Sequence, residues 1–299
     1  MDPSSWVETL EIERSNYDQL RKRFIIDPSN LEHEQNGSAE NARKNNLMHP
    51  LSLDENSPWS QFFQDEELRK IIQQDVDRTF TDIEYFRHAT TKSRMTDMLF
   101  VYCKLNQDIS YRQGMHELLA LILWAVDTDA LDPVVCDDST NDKLALLIAT
   151  TLNCKFVEHD TFSLFSKLML AARQWYEFRE ELSKTRIRRS SADINIRDQI
   201  IVPTMPILRK AHKIHHEYLQ VVDHELYDHL ENLGIEPQIY AIRWLRLLFG
   251  REFPVPQVYR LWDALFADDE KLTATDFVCV AMLIYLRDDC TWSCIFRFY

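Results

Sequence analysis

Two short stretches hold side chains that could act on a phosphate group. In "IIQQDVDRTF", residues 71–80, Asp75 precedes Arg78 by three positions. On a helix that spacing puts both side chains on one edge, where the carboxylate can brace the guanidinium. A planar guanidinium held in this way suits the neutralising of phosphate oxygens. In "SYRQGMHELLALILW", residues 110–124, Gly114 stands immediately before an apolar run. Tyr111 to Gly114 therefore reads as a turn at a helix start, with Gln113 projecting from it. A Gln amide donates and accepts at once, which is what aligning a water molecule requires. Taken singly, each motif has a plainer reading: a surface ion pair and a capping Gln.

The elements that must position these residues are helices. Leu68, Ile71, Ile72 and Val76 form an apolar stripe on the segment that ends at Arg78. Similar periodicity predicts helices over 4–24, 59–78, 91–105, 115–124, 143–153, 161–182, 206–220, 224–233, 237–249, 256–266 and 274–287. The polar stretches 27–58, 127–142 and 183–199 lack it and read as loops, the first of them mobile. No strand series and no internal repeat is present, so the expected fold class is all-α.

Composition narrows the function. The chain has 299 residues, 45% of them hydrophobic, which is ample material for a large core or two smaller lobes. Only four residues are Gly, so no Gly-rich phosphate loop exists and a nucleotide-binding domain of its own is not expected. A net charge of −14 opposes nucleic acids and anionic lipid headgroups and favours a protein partner or a small substrate. The six cysteines contain no C-x-x-C pair and read as reduced cytosolic thiols. The apolar run 277–286 is too short to span a bilayer, so a soluble cytoplasmic protein is expected, attached to membranes only through partners.

Two other clusters are assigned bland roles. "HKIHHEY" gathers His212, His215 and His216 without a zinc-like spacing to a further Cys or carboxylate, so a surface histidine cluster and no metal are expected. The basic run Lys184 to Arg189, with Arg188 and Arg189 ahead of Ser191, reads as a solvated loop. No Ser-His-Asp or Cys-His set emerges from spacing.

Together, I-x-x-D-x-x-R at Ile72, Asp75 and Arg78 and Y-x-Q-G at Tyr111, Gln113 and Gly114 resemble the two fingerprint motifs of the TBC-domain Rab GTPase-activating proteins. The block "IYAIRWLRLLFGREFPVPQVYRLWDALFAD", residues 239–268, resembles the family's third block, with Arg243, Trp244, Arg246, Arg251, Glu252, Trp262 and Asp263 in place. Arg246 and Arg251 are read as structural. "QDVDRTF", "YRQGMHELLA" and "EHDTFSLFSKLM" are most similar to the family's member 5 branch.

The resemblance implies a two-lobed helical domain in which Arg78 acts as an arginine finger and Gln113 as a glutamine finger on a Rab. Asp75, Tyr111 and Gly114 would support them, and GTP and Mg²⁺ would come with the partner, leaving the chain no cofactor of its own. It implies a late-endosomal substrate of the Rab7 type and peripheral recruitment to endosomes. "NLMHPLSLDENSPW", residues 46–59, is similar to the loop by which the member 5 branch docks onto the retromer coat, with His49, Pro50 and Leu51 at its turn. That likeness supports the alternative of a non-catalytic scaffold. The expected organisation is an N-terminal helix and mobile loop over 1–46, the TBC domain over 47–287 and a tail over 288–299. Because family members carry more helices at both ends, the chain reads as a shortened form with an incomplete second lobe.

Overall fold

The computed structural model describes residues 3–25, 58–132, 143–177 and 205–287. Every extended regular element among them is helical, and the one β-type contact there is an isolated parallel bridge between Leu131 and Asn153. The all-α expectation therefore holds. None of these helices is long and apolar enough to cross a membrane. The chain divides into two compact units, Met1–Leu168 and Met169–Tyr299.

The first unit contains α1 (Pro3–Phe24), α2 (Pro58–Asp77), α3 (Ala89–Leu105), α4 (Met115–Thr128) and α5 (Lys143–Thr151). It also holds most of α6 (Val157–Ala172). Leu118 to Ala120, Leu121 and Leu123 of α4 are buried, as are Met95, Met98, Leu99, Val101 and Cys103 of α3. These apolar faces form the core against which α2 packs. Ile72 and Val76 are the buried pair of α2, Leu68 is half-buried, and Ile71 stays 48% exposed. The inward line thus runs at four-residue steps through positions 68, 72 and 76, and Ile71 falls on its shoulder.

Polar contacts seat α1 on the rest of this unit. Arg14 is buried and forks onto Asp160, with Nε to Oδ1 at 2.8 Å and Nη2 to Oδ2 at 2.6 Å. Its Nη1 donates to the Thr150 carbonyl at 3.0 Å, and its guanidinium lies 4.3 Å from the Phe156 ring centroid. A buried Arg is tolerated here because its donors meet charge, carbonyl and ring partners.

The second unit is built on α7 (Pro206–Lys213), which continues through a π-helical turn, Ile214–Leu219, and a last turn, Gln220–Val222. It adds α8 (His224–Asn232), α9 (Gln238–Arg246), α10 (Val255–Asp268) and α11 (Thr275–Tyr285). Trp175 and Tyr176 are buried in it. The Tyr176 hydroxyl donates to the Arg246 carbonyl at 2.6 Å, and Arg246 Nε donates to the Trp175 carbonyl at 3.0 Å. Arg246 is therefore a structural residue, as the sequence suggests.

Boundaries differ where local rules compete. The helix expected over 161–182 begins at Val157 and gives way after Ala172 to a 3₁₀ turn, Arg173–Trp175. The helix expected over 206–220 is interrupted by the π turn. Helix α4 continues past Trp124 to Thr128. The loop 183–199 and the docking turn His49, Pro50 and Leu51 lie outside the described residues.

Candidate functional site

The last turn of α2 brings Asp75 and Arg78 together, with Arg78 Nη2 2.6 Å from Asp75 Oδ1. The two side chains differ sharply in exposure, 58% for Arg78 against 13% for Asp75, so the guanidinium reaches outward from a carboxylate set into the protein. Helix α2 stops at this point for a local reason. The Thr79 hydroxyl donates to the Asp75 carbonyl at 2.8 Å, and Phe80 takes a left-handed φ of 41°. Such a backbone is costly for a bulky residue and persists because the ring is anchored. Phe80 is buried 5.4 Å from Phe86, which in turn packs edge-on against Tyr85 at 5.0 Å and Trp124 at 5.8 Å.

The second motif is a turn between α3 and α4. The Ser110 and Ile109 amides both donate to the Asn106 carbonyl, at 2.8 and 3.1 Å, closing the exit from α3. Gly114 then precedes α4 with φ 103° and ψ −26°, a region that L side chains rarely adopt, so this is a position that requires Gly. Its carbonyl accepts the Glu117 amide at 3.1 Å. Arg112 and Gln113 are exposed on the turn, whereas Tyr111 is 9% exposed.

Tyr111 connects the two motifs. Its hydroxyl donates to Asp75 Oδ2 at 2.7 Å, while the other oxygen of the same carboxylate holds Arg78. His116 Nδ1 lies 2.8 Å from the Tyr111 oxygen and 3.3 Å from the Gly114 amide. A phenol has one proton, and the carboxylate has the stronger claim to it, while the Gly114 amide donates to His116 Nδ1. Burial, followed by the Asp75 hydrogen bond, pushes the Tyr111 pKa above its ordinary value, so the phenol stays protonated as donor throughout the physiological range. Asp75, Arg78, Tyr111, Gly114 and His116 thereby form one bonded group, with Gln113 on the turn beside it.

His116 is the member that sequence reasoning passed over. It is 2% exposed at the second position of α4. Its signal was its place two residues after the left-handed Gly, inside an otherwise apolar helix start, where a polar side chain must find a partner. In the third block, Arg243 Nε and Nη2 both contact Glu252 Oε1 at 2.7 Å, and Trp262 Nε1 donates to the Leu248 carbonyl at 2.8 Å. Leu248 and Phe249 have positive φ, 44° and 62°, and both are buried. This block is a strained corner tied down by its Trp and its ion pair.

Comparison with known proteins gives a consistent result. The protein-family model for the Rab-GTPase-TBC domain matches residues 29–199 and 193–291. TBC1 domain family member 5 of Homo sapiens is 38% identical over 288 residues, covering 96% of this chain and 35% of that protein. The Mus musculus protein of the same name is 38% identical over 288 residues, covering 96% and 34%. The chain thus spans about a third of the length of these relatives. Among solved structures, the Ypt/Rab-GAP domain of Gyp1p superposes with a TM-score of 0.61 at 20% identity, covering 95% of this chain and 70% of that one, a likeness of fold.

Proposed function

The chain belongs to the Rab-GTPase-TBC domain family, and from that membership we propose that it accelerates GTP hydrolysis by a Rab GTPase, presenting Arg78 and Gln113 in trans. The observation that carries the proposal is the Tyr111–Asp75 hydrogen bond of 2.7 Å, which joins the Arg-bearing helix end to the Gln-bearing turn. Phosphoryl transfer demands positioning and charge stabilisation more than covalent help. An Arg supplied from outside is worth about 10³ to 10⁵ in rate, or roughly 4 to 7 kcal/mol.

In this reading Asp75 orients Arg78 through Oδ1 and is itself held by Tyr111 through Oδ2. Arg78 neutralises charge that develops on the transferring phosphoryl group, and the planar fork is what allows contact with two oxygens at once. Gln113 aligns the attacking water, the role that a GTPase's own Gln otherwise fills. The chain needs no cofactor, since GTP and Mg²⁺ arrive bound to the partner.

The proposal extends to a late-endosomal Rab of the Rab7 type as substrate and to peripheral recruitment to endosomes, supported by likeness to member 5 of the family. It also includes retromer docking through His49, Pro50 and Leu51, which rests on the sequence of that loop. Leu51→Glu would place a charge where an apolar anchor is needed and should abolish retromer capture while leaving GTPase activation intact. Unchanged capture removes docking from the proposal.

A single-turnover hydrolysis screen over a Rab panel tests activation. The discriminating substrate is a responsive Rab whose own catalytic Gln has been replaced. Activation should largely survive with the wild-type chain and disappear with Gln113→Ala. If no Rab responds, the non-catalytic scaffold takes the place of this reading.

A further inference from the structure

The three histidines expected as a surface cluster do gather, with the His212 and His216 ring centroids 4.1 Å apart, but His212 and His216 are half-buried and His215 is not on the surface. His215 is fully buried in the π-helical turn Ile214–Leu219, and its Nε2 meets Glu231 Oε1 of α8 at 3.0 Å. On an α-helix consecutive side chains diverge by about 100°, which would send adjacent histidines to different faces. Here His215 and His216, both in the π turn, nevertheless share Glu231 as a neighbour. One ligand atom from each of His215, His216 and Glu231 falls within 4.8 Å of the others. π turns of this kind recur at functional sites.

We propose that His215, His216 and Glu231 bind a divalent transition-metal ion, with Zn²⁺ the expected occupant. Two imidazoles and one carboxylate make a borderline-soft donor set that suits Zn²⁺ and discriminates against Ca²⁺ and Mg²⁺, which require oxygen shells. Three protein ligands leave a fourth position for water or for His212, whose ring centroid lies 4.1 Å from that of His216.

The outer contacts are those a metal site needs. The Tyr240 hydroxyl lies 2.7 Å from His215 Nδ1, and the Tyr227 hydroxyl lies 3.2 Å from His216 Nδ1. A hydroxyl beside Nδ1 can accept from it, which fixes the tautomer whose Nε2 lone pair is free for an ion. Without metal the same Tyr240 hydroxyl donates to Nδ1, and Nε2–H donates to Glu231. Occupation therefore requires only that the His215 proton change nitrogens, with no net loss of protons from that ring. Burial holds His215 below its ordinary pKa; the Glu231 hydrogen bond opposes this, and the neighbouring His216 and His212 reinforce it. Burial and His212 act on His216 in the same downward direction. Neutral imidazole is the form that binds metal. Glu231 is 45% exposed, which gives the ion a route from solvent. The bound ion would tie the π turn to α8.

The test uses the whole chain stripped with a chelator and then titrated separately with Zn²⁺, Co²⁺, Ca²⁺ and Mg²⁺. Zn²⁺ should raise Tm by several degrees. Co²⁺ should give the visible ligand-field bands of a four-coordinate ion, saturating at one equivalent. Ca²⁺ and Mg²⁺ should do neither. Glu231→Gln changes a half-exposed side chain, so it should fold and lose both responses, and His216→Gln should behave alike. A wild-type chain that gives neither response overturns the proposal. So does a one-equivalent response that survives in Glu231→Gln, since the ion then sits elsewhere among the ten histidines. None of this depends on Rab activation, and failure in one assay leaves the other reading standing.

Discussion

Tyr111→Phe removes a single oxygen from the centre of the site, and its consequences can be worked out in advance. The lost bond is a neutral donor on an ionised acceptor at 2.7 Å, a type worth about 1.5–3 kcal/mol. Asp75 is 13% exposed and can recover only part of that from water, while the Phe ring keeps the packing of a position 9% exposed. His116 Nδ1, 2.8 Å from the same oxygen, loses its neighbour as well. A net destabilisation of about 2 kcal/mol follows, and for a unit of this size the midpoint should fall by about 4–8 °C. Arg78 keeps its 2.6 Å contact to Asp75 Oδ1, so the finger is loosened rather than lost. The single-turnover rate of Rab GTP hydrolysis should therefore fall by about threefold to tenfold, roughly 0.7–1.4 kcal/mol. Thermal unfolding followed by circular dichroism checks the first figure, and quenched hydrolysis with saturating activator checks the second. An unchanged midpoint would mean that the hydroxyl bridges nothing of consequence. A rate loss as large as that of Arg78→Ala would mean that Tyr111 reaches the reacting groups and does more than brace.

Arg78→Lys should lose at least a hundredfold in activation, because a point charge replaces the fork; Tm should move by less than about a degree, since the side chain is 58% exposed. Activation that survives in this variant would refute the finger assignment. Gly114→Ala forces a Cβ onto a backbone with φ 103°, so about 1–3 kcal/mol of stability should disappear and Gln113 should be displaced with loss of activity; denaturant midpoints and the hydrolysis assay report both. Burial pushes the Cys103 thiol up to about 12 and the Cys279 thiol higher still, whereas Cys154 is exposed. Among these three, iodoacetamide should modify Cys154 in the native protein and reach the other two only after unfolding, as peptide mass mapping would reveal.

Some of the fold could be read directly because it depends on neighbours in the chain. The helical period of α2, α4 and α11, the Asp75–Arg78 step and the need for Gly ahead of α4 are local properties, set within one or two turns of backbone. The same locality made Gln113 visible as a residue on an exposed turn. Other features required the packed structure. The Tyr111–Asp75 bond closes 36 positions of chain, and no periodicity encodes which carboxylate a buried phenol will meet. His116 looked like an ordinary helix residue until α4 was laid against the end of α2. Ile71 and Leu68 are equally apolar, and only the direction of the core decided which of them is shielded. For His215 the difference was greatest, because a residue expected on the surface lies in a π turn, completely buried opposite Glu231. Spacing along the chain specifies what a helix can present; which of those side chains are desolvated, and against which partners, depends on the other elements that arrive to cover them.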